Sequence, residues 1–126
     1  MGMFDVLKKD YKPQPKEKMQ AEGKPCEIQL GYVTGASHDY SRSSLLQKQD
    51  GWYSCNEAFW QRQGGKSEVK IDADYLRRND MCTPENFLKY ELSGELAICL
   101  EDALHSDTIL ATIDQIIRET LNTNDG

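Results

Sequence analysis

The segment from 106 to 121 carries one apolar stripe, and this stripe constrains the fold more than any other feature of the sequence. Its apolar residues recur at spacings of one, three and four, which is typical of an amphipathic helix: Ile109, Leu110, Ile113, Ile116, Ile117 and Leu121. Ser106 or Asp107 is the expected N-cap, and Arg118 lies in the last turn, where a cation suits the helix dipole. The rest of the chain must supply an apolar surface that covers this stripe.

Two alternating segments predict strands that could form that surface. From Cys26 to Val33 apolar and polar residues alternate, which is typical of a half-buried strand. Ser67 to Asp72 alternates again, with Val69 and Ile71 on one face. The intervening stretch 34–51 is rich in Ser, Gly, Asp and His, and it predicts a long loop with a short helical turn at 43–48.

The segment after this stretch has two competing interpretations. Ser54 and Glu57 match the capping box S-x-x-E, and Gly64-Gly65 provides a stop, so a short helix at 55–63 is expected. The alternative is a strand from Trp52 to Gln61, because aromatic residues favour pleated surfaces.

Two further helix starts follow. Asp72 is the expected cap of a short helix over 73–78. Thr83-Pro84-Glu85 begins a helix that runs to about Tyr90 and stops at Ser93-Gly94. The apolar run within 95–102 fits a strand or a buried helix, and its flanking residues favour the strand.

Together these elements predict an α+β fold. We expect one small domain over 25–122, with a few-stranded antiparallel sheet packed by the C-terminal amphipathic helix and one or two shorter helices. Residues 1–24 hold six of the lysines and two prolines and are expected to form a polar arm or linker. Residues 123–126 are expected to form a polar tail.

The charge is unevenly divided along the chain. The net charge is −6, but residues 1–70 hold 11 Lys/Arg and 9 Asp/Glu, whereas residues 71–126 hold 4 and 12. An acidic chain is a poor candidate for nucleic-acid binding, which depends on Lys and Arg that neutralise phosphates. No apolar run reaches the roughly 20 residues of a membrane span, and the first residues lack the apolar core of a signal peptide. We therefore expect a cytoplasmic protein.

Metal and cofactor sites are not expected. The four cysteines, Cys26, Cys55, Cys82 and Cys99, lie 29, 27 and 17 residues apart, without a C-x-x-C pair or a histidine within four residues. Reduced cysteines used as small apolar residues fit a cytoplasmic protein. No glycine-rich nucleotide-binding motif occurs, since Gly64-Gly65-Lys66-Ser67 lacks the upstream glycine of a phosphate loop.

Cys55 is the one cysteine whose expected position favours a catalytic role. At the start of a helix over 55–63, Cys55 would have its thiolate stabilised by unpaired backbone N–H groups. His38 or His105 would then be the candidate base. A cysteine-dependent enzyme is therefore an alternative hypothesis, although no local catalytic signature surrounds Cys55.

Binding to another protein is the leading hypothesis. The expected contact residues are four aromatic residues of the middle segment and four acidic residues of the second half, because aromatics anchor interfaces and acids steer a basic partner: Tyr40, Trp52, Tyr53, Trp60, Asp72, Asp74, Glu101 and Asp102. Inhibitor or immunity proteins of basic toxins and acidic secretion chaperones share this size and charge, which is an analogy of bulk properties only. A structural homodimer without a separate ligand is the third hypothesis.

Overall fold

The computed structural model describes residues 8–9 and 26–125, and within them one antiparallel sheet precedes all of the α-helices. Its strands pair in chain order: β1 (Lys8–Lys9), β2 (Glu27–Thr34), β3 (Tyr40–Lys48), β4 (Gly51–Trp60) and β5 (Gln63–Lys70). The helices that follow are α1 (Ala73–Arg78), α2 (Pro84–Glu91), a 3-10 helix (Gly94–Cys99), α3 (Leu100–Leu104) and α4 (Asp107–Asp125). The predicted α+β class and the antiparallel sheet are confirmed. Apart from Lys8 and Lys9, the predicted arm over 1–24 lies outside the described residues.

The loop prediction for 34–51 is wrong over residues 40–48, and the helix prediction for 55–63 is wrong. Residues 40–48 and 51–60 instead form β3 and β4, two interior strands of the sheet, paired in continuous register from Tyr40–Phe59 to Lys48–Gly51. Both members of the supposed capping box have tertiary partners. The Ser54 hydroxyl donates to the buried Glu91 carboxylate, and Glu57 accepts from Tyr40 and Arg42. The alternative, a strand from Trp52, is the correct interpretation.

The residues of the β4–β5 turn explain why this hairpin is hard to predict from the sequence. Gln61 and Arg62 form a two-residue loop between Trp60 and Gln63, and both have positive φ angles, 52° and 66°. Such turns usually carry Asn or Gly at these positions. The expected stop, Gly64-Gly65, lies inside β5 instead.

The strand preferred for 95–102 is also wrong, since this run forms the 3-10 helix and the start of α3. Leu96 and Cys99, three residues apart, are buried, while Ile98 between them is 48 % exposed. A three-residue period of burial fits a 3-10 helix and not a strand. The segment packs on β2 at Gly31, where an added Cβ would lie 2.7 Å from Leu92 Cδ2 and 2.9 Å from Cys99 Cβ.

The helix starts were predicted correctly. Asp72 caps α1 by accepting from the Tyr75 N–H, and Thr83 caps α2 by accepting from the Asn86 N–H. Ser106 accepts from the Ile109 N–H at the start of α4. These caps are local interactions, so the sequence alone specifies them.

The core lies between the helices and one face of the sheet, which we call the inner face. Ile28, Leu45 and Ser54 are neighbours in register on this face, and all three are buried. The stripe of α4 covers the core from the other side with Ile109, Ile113, Ile116 and Ile117, all buried. The opposite, outer face is covered by none of the described helices. None of those helices has the length and apolarity needed to cross a bilayer.

Candidate functional site

Cys55 lies on the outer face of β4 and not at a helix N-terminus. Its register neighbours there are Ser44 on β3 and Glu68 on β5. Burial, together with the nearby carboxylates of Glu68 and Glu27, raises the pKa of the Cys55 thiol to about 11. The thiol is therefore protonated at neutral pH, which is the opposite of what a nucleophile needs.

Neither histidine is positioned to act on Cys55. His38 lies in the β2–β3 loop, beyond the Tyr40–Phe59 pair, and Cys55 is four residues further along β4 from Phe59, a separation of more than about 13 Å. His105 follows α3 in the helical layer, where its Nδ1 lies 2.8 Å from the Glu101 carbonyl oxygen. The sheet separates that layer from the outer face. The premise that Cys55 lies at the start of a helix is therefore wrong, since Cys55 lies within β4.

The four predicted aromatic contact residues lie on two faces. Tyr40 and Tyr53 are half-buried on the outer face, roughly 20 Å apart, because Tyr40 pairs with Phe59 and Tyr53 lies six residues along β4 from Phe59. Trp52 and Trp60 lie on the inner face. Trp52 is part of the core, and the Trp60 Nε1–H donates to Ser41 Oγ.

The four predicted acidic residues are also dispersed. Asp72 and Asp74 lie at the start of α1, where Asp72 serves as the N-cap and Asp74 pairs with Arg78. Glu101 and Asp102 lie in the first turn of α3 and are exposed. The eight predicted residues thus do not form one surface, but Trp52 and Asp72 meet at a cleft.

This cleft lies where the β3–β4 turn, the end of β5, the start of α1 and the last turns of α4 come together. It encloses about 390 Å³, which is in the lower part of the range of ligand pockets. Its lining residues are Asp50, Gly51, Trp52, Lys70, Ile71, Asp72, Glu119 and Thr120. We call it the acidic cleft. Buried Trp52 and Ile71 supply its apolar wall, and three carboxylates and one amine supply its charge.

Hydrogen bonds hold the cleft carboxylates in place. Asp50 Oδ2 accepts from the Tyr53 hydroxyl at 2.8 Å and lies 3.5 Å from Lys70 Nζ. The Tyr53 hydrogen bond, aided by Lys70, lowers the pKa of Asp50 below its usual value. Asp72 accepts from the Tyr75 N–H at 2.8 Å, and Glu119 accepts from Gln115 at 2.7 Å.

The cleft carboxylates do not converge on one point. In the part of the chain that the structure describes, no three His, Cys, Asp or Glu side chains are grouped so as to hold a metal ion. Carboxylates spread around an apolar wall suit a long side chain with an apolar stem and a cationic head, which is the chemistry of Lys and Arg.

The two layers of the fold differ in charge. Residues 26–70, which contain β2 to β5, hold five basic and five acidic residues, whereas residues 71–126, which contain the α-helices, hold 4 and 12. Three of the four basic residues in the helical part are paired with an acid one turn away: Arg78 with Asp74, Lys89 with Glu85 and Arg118 with Asp114. The net negative charge therefore belongs to the helical layer, at whose boundary with the sheet the acidic cleft lies.

A second polar site, not foreseen from the sequence, surrounds Glu91 at the end of α2. Glu91 is only 4 % exposed. The Ser54 hydroxyl lies 2.9 and 2.8 Å from its two carboxylate oxygens, and the Tyr75 hydroxyl donates at 2.9 Å. Burial raises the pKa of Glu91, while the hydrogen bonds from Ser54, Tyr75 and Asn56 favour its ionised form.

The position of Glu91 relative to the apolar residues of α2 could have predicted this site. Glu91 lies four residues after Phe87 and three after Leu88, both fully buried, so it belongs to the buried face of the helix. Its partners come from β4 and α1, and they fix α2 against both elements. The Ser54 and Tyr75 hydroxyl groups both donate hydrogen bonds to the buried Glu91 carboxylate. This arrangement is typical of a buried acid with a structural role.

No protein-family model, curated protein or solved structure matches this chain. The function is therefore inferred from the residues and their geometry.

Proposed function

We propose that this protein is a protein-binding module whose partner is basic, and that a Lys or Arg side chain of the partner enters the acidic cleft. The observation that carries the proposal is the placement of Asp50, Asp72 and Glu119 around the apolar wall formed by Trp52 and Ile71. The wall would contact the stem of the incoming side chain, and the carboxylates would bind its charged head.

The charge distribution supports the same partner chemistry. The helical layer produces a negative potential that would accelerate encounter with a positively charged surface. The cleft itself contains one internal cation, Lys70, on Asp50. An incoming Arg or Lys would compete with Lys70 for the Asp50 carboxylate. Because the Lys70 and Asp50 side chains are both exposed, replacement of Lys70 by the partner's cation would cost little free energy.

Two kinds of basic partner fit the module. An inhibitor or immunity-type protein would cover the active surface of a basic toxin, whereas a chaperone would hold a basic client before its release.

No disulfide joins the four cysteines, all of which lie within the described residues. This supports a cytoplasmic location, where thiols remain reduced.

Titration of the intact protein with an oligolysine peptide tests the proposal. Trp52 lines the cleft and the chain has only two tryptophans, so a Trp60→Phe background reports on the cleft by fluorescence. We expect saturable binding at low salt that weakens at high salt, and no binding of an oligoglutamate peptide.

Charge-neutralising variants locate the site. Asp72→Asn retains a good N-cap residue, and Asp50→Asn and Glu119→Gln retain side-chain oxygen acceptors. Each should weaken oligolysine binding by about two- to fivefold. Glu95→Gln is the matched control, because Glu95 is an exposed acid of the helical layer that does not line the cleft. An equal loss in this control, or absence of oligolysine binding at low salt, would show that the cleft is not the site.

A further inference from the structure

Among the described residues, the strand β5 forms an open edge of the sheet. It is the last strand in the sheet order, and all eight of its residues are exposed. The β2 side is different, because β1 pairs with Val33 and Thr34 and a register shift interrupts β2 between Gln29 and Gly31. Short pairing strands and bulges are devices that protect an edge, so β5 is the edge that lacks them.

The direction of the backbone groups on β5 follows from one hydrogen bond. The Ile71 N–H donates to the Trp52 carbonyl at 2.8 Å, and the β4–β5 register continues without a shift down to the Trp60–Gln63 pair. Backbone groups alternate along an antiparallel strand, so odd-numbered residues of β5 face β4. The N–H and C=O groups of Gly64, Lys66, Glu68 and Lys70 therefore point away from the sheet.

From this geometry and the charges on β5 we infer that two copies of the chain pair antiparallel through β5, with the two-fold axis at Ser67. This register places Lys66 opposite the partner's Glu68, and Glu68 opposite the partner's Lys66. Lys66 and Glu68 are two residues apart and so lie on the same face. The dimer then contains two opposite-charge pairs across the new strand pair, together with hydrogen bonds from the outward-pointing residues.

The neighbouring symmetric registers are less favourable. A two-fold axis at Lys66 places two lysines directly opposite each other, and an axis at Glu68 does the same with two glutamates, which destabilises a strand pair. An axis between residues would pair outward-pointing groups with inward-pointing ones and lose the hydrogen bonds.

The inner face of β5 supports the same register. Val69 is 42 % exposed, and an added Cβ at Gly65 would meet no atom within 4 Å. Pairing about Ser67 places Val69 opposite the partner's Gly65, where space is available for its side chain. The inference goes beyond the basic-partner proposal and is independent of it, because it concerns a different edge and a different occupant.

Charge exchange on β5 tests the inference by measurement of the mass in solution. We expect the wild type to form a dimer of twice 14.4 kDa. Lys66→Glu should weaken dimerisation by about tenfold or more, because it turns both attractive pairs into repulsive ones. Glu68→Lys should do the same, and it also removes the ion pair between Glu68 and Lys48 of the same chain. The double variant Lys66→Glu/Glu68→Lys should restore the dimer, and a mixture of the two single variants should form a heterodimer.

A disulfide trap tests the register. Directly opposite residues of a non-hydrogen-bonded pair have Cα atoms about 4.5 Å apart, which a disulfide can bridge. Ser67→Cys in a Cys82→Ser background should therefore give a covalent dimer under mild oxidation. Gly65→Cys in the same background is the matched control, since its opposite residue is Val69 and no covalent dimer should form. A wild type that stays monomeric, or single charge variants that dimerise as well as the wild type, would overturn the inference, whatever the result of the oligolysine titration.

Discussion

Replacement of Glu91 by Gln should change how the free energy of unfolding depends on pH. Burial raises the pKa of Glu91 above its usual value of 4.5, so the folded protein holds this proton more tightly than the unfolded chain does. Below pH 4.5 the side chain is protonated in both states. As the pH rises towards the folded-state pKa, the wild type loses this contribution to stability, by up to about 1.4 kcal/mol per pH unit.

The amide side chain introduced by Glu91→Gln does not titrate, so the variant lacks this loss. The difference in unfolding free energy between Glu91→Gln and the wild type should therefore grow in favour of the variant as the pH rises from 4.5 to the folded-state pKa, and then level off. Urea unfolding followed by tryptophan fluorescence at a series of pH values measures this difference. The contributions of other titratable groups are common to both proteins and largely cancel.

Ser54→Ala provides the matching perturbation of the donor. The Ser54 hydroxyl lies 2.8 to 2.9 Å from the carboxylate oxygens, and a hydrogen bond to a charged group contributes about 1.5–3 kcal/mol. Its removal should destabilise the ionised wild type by about this amount, but a Glu91→Gln background by only about 0.5–1.5 kcal/mol. A pH-independent difference for Glu91→Gln, together with equal costs of Ser54→Ala in both backgrounds, would refute the assignment of Glu91 as a buried acid with a raised pKa.

Three other predictions concern packing, turn geometry and thiol reactivity. Gly31→Ala should cost about 1–3 kcal/mol in urea unfolding, because its Cβ would lie 2.9 Å from Cys99 Cβ, whereas Gly65→Ala, with no atom within 4 Å, should cost much less. Replacement of Gln61-Arg62 by Asn-Gly should stabilise the protein by about 1–2 kcal/mol, since both residues have positive φ, and an unchanged unfolding midpoint would argue against strain in this turn. Iodoacetamide at mildly alkaline pH should modify exposed Cys82 before Cys55, whose pKa is about 11, and peptide mapping that finds Cys55 modified first would contradict its burial.

The sequence predicted those elements whose signals are local. The caps of Asp72, Thr83 and Ser106 depend on residues within three positions of each other, and the stripe of α4 is a simple helical period. All of them are found in the structure where they were expected.

The strand β3 was missed, and β4 was foreseen only as the alternative to a helix, because long-range contacts decide both strands. Ser41, Ser43 and Ser54 suggest a loop or a cap from their composition, yet they are buried on the inner face of the sheet. Two of them act through distant partners, Ser41 with Trp60 and Ser54 with Glu91. Sequence spacing does not report such contacts.

The candidate cleft was predicted only in part. Trp52 and Asp72 were expected to bind a partner, but Asp50 and Glu119 join them only because the β3–β4 turn and the end of α4 meet in three dimensions. These residues are 69 positions apart in the chain, so their proximity follows from the topology and not from a motif.

The order of the elements also has a consequence for synthesis of the chain. Every described residue of the sheet precedes α1, so the ribosome completes β5 55 residues before it reaches Asp125 at the end of α4. At about 5–20 residues per second, synthesis of these 55 residues takes about 3–11 seconds, and α4 is complete only at the end of this interval. During this interval the core residues Ile28, Leu30 and Leu45 are not yet covered by α4. Aggregation or binding by a chaperone would compete with folding at this point of synthesis.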